Sequence, residues 1–117
     1  MKLNYKTKQV FDDNNVEITP EKSLKLQNHS PDGFNWGYTG SGPAQLSLAV
    51  LLHFTKDDKF SLAHYQDLKR ELIGHFPMKD WDFPDLLILK WIDIWKNIDE
   101  LTKQVKLKQP KLKSKEI

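Results

Sequence analysis

The 117 residues predict an α+β fold: an amino-terminal antiparallel hairpin or small sheet packed on three helices, with the helix that opens at Pro43 at the centre. Three observations carry that expectation. Apolar and polar residues alternate with period two along much of the first twenty positions, as a half-buried strand requires. The segment from Leu46 to Phe54 is apolar on nearly every side, which marks a helix enclosed by other elements. Further along, apolar residues recur at steps of three and four in two stretches, the period of helices with one covered face.

In chain order, Leu3, Tyr5 and Thr7 alternate with Lys2, Lys6 and Lys8. Asp12-Asp13-Asn14-Asn15 then reads as a turn, because Asn and Asp tolerate positive φ and bond their own backbone. Val16 and Ile18 resume the alternation, which gives a hairpin over residues 2–19 that Pro20 ends. Leu24 and Leu26, two apart, suggest one more short strand. The first helix is expected to start at Pro43, whose fixed φ and missing N–H suit a first turn. After the polar break Lys56-Asp57-Asp58-Lys59, Ser61 is the expected cap of a second helix carrying Leu62, Tyr65, Leu68 and Leu72, and Gly74 is its stop. Pro84 opens a third helix to about residue 105, with Leu87, Trp91, Ile94, Ile98, Leu101 and Val105 as a packing stripe widened by Ile88 and Trp95.

This length suits one domain, expected over residues 1–105, followed by a basic flexible tail over 106–117. Residues 103–117 hold six lysines against Glu116, whereas residues 1–102 hold 12 basic and 15 acidic side chains. A mildly acidic body with basic residues only at its end argues against general nucleic-acid binding. Cysteine is absent, which excludes disulfides, thiolate metal sites and cysteine nucleophiles. His29, His53, His64 and His75 have no metal-ligand spacing and are expected as isolated surface or boundary residues, so no metal and no cofactor is expected. With no apolar leader at Met1 and no run of about 18 apolar residues, the expected setting is the cytoplasm, away from membranes.

Residues 28–45, NHSPDGFNWGYTGSGPAQ, hold four of the five glycines and are the expected site. Phe34, Trp36 and Tyr38 stand two apart, which places their rings on one side of an extended segment. Gly37, Gly40 and Gly42 allow close approach to the backbone, and a helix start offers unpaired N–H groups and a positive dipole end to an anion. Around it, Ser41 supplies a hydroxyl, Asn28, Ser30, Asn35 and Gln45 supply fixed polar groups, His29 a ring N–H, and Trp36 or Tyr38 a face for a base. The nucleotide-triphosphate loop pattern fails because Pro43 follows Gly42 where it needs lysine, and the dinucleotide spacing is not met. His29, Asp32 and Ser41 are the candidates for catalysis, but no acid and base can be assigned to Ser41, so binding without catalysis is expected.

The run N-H-S-P-x-G-F-x-W-G-Y-x-G-S-G-P-A-Q-L-x-L-A from Asn28 to Ala49 resembles the signature of a small domain-of-unknown-function family of bacteria, phages and mobile elements. The stretch from His64 to Lys69 and the region of Trp81 are similar to that family's second block, so the resemblance covers about residues 1–83. It implies no established activity, and the family's distribution is compatible with a role in conflict between phage and host. Two readings of function follow. The first is non-catalytic binding of a small anionic ligand, a nucleotide or nucleotide-derived signal, in which Gly42→Val abolishes binding and leaves helical content nearly intact. The alternative is a protein-interaction module or inhibitor using the Trp91 and Trp95 face or the loop aromatics as anchors, a homodimer through the helix stripe included.

Overall fold

The computed structural model describes residues 1–108. Its elements are β1 (Lys2–Leu3), β2 (Val10–Phe11), β3 (Glu17–Ile18), α1 (Glu21–Leu26), α2 (Ser41–Thr55), α3 (Asp58–Glu71), a 3-10 turn (Ile73–His75), β4 (Trp81–Asp82) and α4 (Asp85–Lys108). The chain forms two compact units, Met1–Asp85 and Leu86–Ile117. The first is α+β, as the alternation and the apolar run require.

The strands form one antiparallel sheet in the order β3-β2-β1-β4. Leu3 pairs with Val10 and Val10 with Ile18, so these three share a face, and all three are buried. Two Asx turns join the first three strands. The Asn4 carboxamide accepts the amides of Lys6 and Thr7, and the Asp12 carboxylate accepts those of Asn14 and Val16. The expected hairpin over 2–19 is therefore a three-stranded meander with an additional turn at Asn4. β4 completes the sheet from the segment read in the sequence only as a connection.

The edge at β4 is fastened by charge. Met1 is wholly buried, and its ammonium donates to Asp13 at 2.9 Å, to Asp85 at 2.7 Å and to the Phe83 carbonyl. Asp13 and Asp85 also accept each other's backbone amide, at 2.9 and 2.8 Å. Hydrogen bonding to the ammonium first, and then to the Asp85 amide, holds the Asp13 carboxyl below its ordinary range.

Leu24 and Leu26 lie in α1, not in a strand. Pro20 cannot continue a strand ladder but its carbonyl accepts the Leu24 amide and the Ser23 hydroxyl, which starts a helix. α2 starts at Ser41, two residues before Pro43; proline occupies the third position, where its missing N–H is still one that would lack a helical partner. Lys56, at φ 54°, ends α2 in a left-handed cap whose N–H returns to the Leu52 carbonyl. Eleven of its 15 residues, Gly42 through Leu52, are buried, and it touches α1, α3, the 3-10 turn and β3. Each of its buried leucines contributes roughly 1.5–3 kcal/mol.

α3 begins at Asp58, three residues before the expected cap. Asp57 is the cap, its carboxylate accepting the Phe60 amide at 3.0 Å. Ser61 is instead buried in the first turn and donates back to the Asp57 carbonyl at 2.7 Å.

α4 starts at Asp85 and extends to Lys108, into the segment expected to be tail; the rest of that segment, residues 109–117, lies outside the described residues. The packing stripe read from the sequence is not a buried one. Of its six residues only Trp91 is buried, with Ile88 and Ile92 beside it, whereas Leu87, Ile94, Ile98, Leu101 and Val105 are 40–64 % exposed. Period fixes which residues share a face, but not whether anything covers that face.

The cap assignment is testable: Asp57→Ala is expected to lower unfolding free energy in urea by about 1 kcal/mol through loss of the Phe60 N–H partner. An unchanged midpoint would show that the carboxylate contributes no cap.

Candidate functional site

The loop of residues 28–45 is organised by its last residue. Gln45 is wholly buried on α2, and each end of its carboxamide makes two hydrogen bonds. Its oxygen accepts the amides of His29 at 2.7 Å and Ser30 at 3.0 Å. Its nitrogen donates to the Ser23 hydroxyl at 2.8 Å and the Gln27 carbonyl at 3.1 Å. Ser23 can accept because its own proton is given to Pro20. The side chain proposed from sequence as a ligand contact thus binds α1 and the loop to α2.

Trp36 is likewise wholly buried, its indole N–H directed to the carbonyls of Pro77 and Lys79 and its ring edge-on to Tyr5, 5.5 Å between centroids. Phe34 is buried beside it in the chain, but Tyr38 is 41 % exposed. The three rings do not share a side as the spacing of two suggests, because Gly37 sits at φ 90° and reverses the alternation while donating its N–H to Ile73. A Cβ on Gly37 would also collide with Met78. Gly42 is required for a different reason: a Cβ there would lie 2.6 Å from the Asn35 Cβ. Gly42→Val therefore disturbs the packing of α2 on the loop and cannot separate ligand binding from folding.

The remaining sequence-predicted residues are spread over different surroundings. His29 Nε2 lies 2.6 Å from the Tyr65 hydroxyl on α3, and the Asn35 carboxamide accepts the Trp36 amide. Asn28 and Asp32 are exposed, Ser30 and Gly40 half-buried. At the start of α2 Ser41 is exposed next to Tyr38 and Thr39, and Gly40 caps the helix without a side-chain bond. Stacking on Tyr38 and donation by Ser41 remain open to a ligand; Trp36 and Gln45 are occupied by the fold itself.

Among the clefts elsewhere, two border titratable or polar groups of note. One of about 410 Å³ is bordered by Lys2, Asn4, Phe11, Asp80 and Trp81, where the buried Trp81 indole N–H has no protein partner. The other, about 340 Å³, runs between β3, α1 and the end of α2 and includes Glu17, Thr19, Glu21, Lys22 and His53. His53, expected as an isolated histidine, has its Nε2 2.9 Å from the Asp12 carboxylate. Asp12 is itself buried, and its carboxyl is held below the ordinary range by the Val16 amide first and then by His53, against the opposing effect of burial. With that carboxylate charged, Nε2 is the donor of this bond, and in a neutral ring Nδ1 is then the acceptor. The hydroxyl of Ser23 on the same cleft is committed to Pro20 and Gln45. His64 also has an acid partner, Asp67, at 3.2 Å. The Asp12–His53 and His29–Tyr65 pairs were not legible in spacing, because their members are 41 and 36 residues apart. Among the described residues no group of three or more His, Cys, Asp or Glu is placed to hold a metal ion, and no helix is long and apolar enough to cross a membrane.

Gln45→Leu is expected to lower stability by about 3 kcal/mol in denaturant titrations, since two buried amides lose their acceptor; an unchanged midpoint would refute the acceptor role. The low carboxyl pKa values of Asp12 and Asp13 set a pH dependence. Both groups bind protons less readily in the folded chain, so their contribution is present above the unfolded pKa and is lost as pH falls below about 4. In thermal melts Asp12→Asn should flatten that acid limb, and a limb as steep as before would remove Asp12 from the explanation.

A family model described as a family of unknown function, DUF6166, matches residues 4–94. No curated protein matches the chain, and neither does any solved structure.

Proposed function

The chain belongs to the DUF6166 family of unknown function, and from that premise we propose that it is a protein-interaction module whose contact surface is the exposed apolar row of α4. One observation carries the reading: Leu87, Ile94, Ile98, Leu101 and Val105, which share one side of this helix by their spacing, are all exposed. Contiguous apolar surface of this kind marks interaction sites, because each side chain covered by a partner gains what burial in a core would give. The charged residues Lys96, Glu100 and Lys103 lie on the other side of the helix, leaving the row uninterrupted.

This reading is preferred to a small-anion cradle in the loop because Gln45 and Trp36 already use their polar atoms within the fold. The anion reading keeps only the exposed Ser41 and Tyr38. The matched family residues end at position 94, so Ile98, Leu101 and Val105 lie beyond them. Partner choice then belongs to this chain's own carboxyl-terminal helix, while the matched residues supply the folded body. A resemblance to proteins of phages and mobile elements fits a module that acts by occupying another macromolecule.

Lysine-reactive cross-linking of the full chain in the cells that express it tests the proposal. Lys90 and Lys103 on α4 are expected to link to another protein molecule, of this or a different kind, and those links should be lost in the Ile98→Asp, Leu101→Asp double variant. Links confined to one chain, or unaffected by the two aspartates, would overturn it.

A further inference from the structure

Resting on the interaction reading, the spacing of the α4 row also selects the partner. Ile94, Ile98, Leu101 and Val105 are exposed and follow steps of four, three and four, which are consecutive d, a, d and a positions of a two-helix seam. On a helix turning about 100° per residue they fall within a sector of about 60° and run for about 17 Å. The residues bordering them are Trp95 and Thr102 on one side and Asn97 and Gln104 on the other, none of them charged.

Charges at those bordering positions normally choose a foreign helix and keep identical helices apart. Their absence removes the like-charge penalty on self-pairing and leaves a foreign charged helix nothing to recognise. Charge along the helix then sets direction. Residues 90–100 carry three acids and two lysines, and residues 101–108 carry three lysines and no acid. A parallel pair would lay lysines on lysines. An antiparallel pair lays the lysine end of one helix along the half holding Asp93 and Glu100 of the other, and it also opposes the two helix dipoles. In that arrangement a positions face d positions, which brings Ile98 level with Leu101 and Ile94 level with Val105.

We propose that a second copy of this chain docks antiparallel along α4, with Ile98 of each copy against Leu101 of the other. Equilibrium sedimentation of the full chain should give the mass of two chains, falling to one on dilution. Ile98→Asp with Leu101→Asp should give the mass of one chain at every concentration, whereas Leu89→Lys, away from the row, should leave the two-chain mass and its dilution unchanged. Because two aspartates can also weaken the helix, disulfide capture gives an independent reading. The chain has no cysteine of its own. The double variant Ile94→Cys, Val105→Cys should oxidise to a covalent dimer. Ile94→Cys alone should not, since its counterpart would stand about 17 Å away along the seam, beyond the roughly 7 Å Cα separation that a disulfide tolerates.

Covalent capture by Ile94→Cys alone would mean a parallel pair and overturn the proposed arrangement. A single-chain mass at all concentrations, with α4 cross-linked to a different protein, would overturn the second copy and leave the interaction reading standing. A single-chain mass with no intermolecular cross-link would remove both.

Discussion

The first unit depends on one buried carboxamide. Gln45 has both its acceptor and its donor group satisfied, by partners in three separate stretches of chain: Ser23 on α1, the Gln27 carbonyl just after it, and the amides of His29 and Ser30. A polar side chain in the middle of an otherwise apolar α2 is costly unless every one of these bonds forms. That requirement fixes the position of α1, the course of the loop and the approach of both to α2. It also accounts for Ser23 as the buried residue of α1, since a leucine there could neither accept from Gln45 nor donate to Pro20.

Much of this architecture was legible because burial and hydrophobicity coincide along α2. From Leu46 to Leu52 the only polar residue is Ser47, and its hydroxyl is absorbed by the Pro43 carbonyl. α1 was illegible for the opposite reason. Its packing rests on Ser23 rather than on Leu24 or Leu26, which are only half-buried, so the spacing of the leucines carried the wrong period. The start of α3 was misplaced because Asp57 and Ser61 are both competent caps, and only the folded chain shows which oxygen meets the Phe60 amide.

In the loop, sequence located the unusual backbone but not its purpose. Glycines, aromatics and amides are as well suited to binding a ligand as to binding the rest of the same chain. Gly37 and Gly42 are needed for a turn against Met78 and a close approach to Asn35, both internal matters. The α4 stripe presents the converse problem: its period was plain, yet neither period nor composition states whether the covering surface belongs to the same molecule.

The enclosure of α2 has a consequence for synthesis. Its apolar run leaves the ribosome before α3 and the 3-10 turn have emerged, and these include much of what surrounds it in the finished unit. Between Gly40 and His53 the run contains no charged residue to discourage association with other nascent chains. Until residue 75 has emerged, the growing polypeptide carries its most aggregation-prone segment without its native cover, which makes this interval the one in which a chaperone has most to protect.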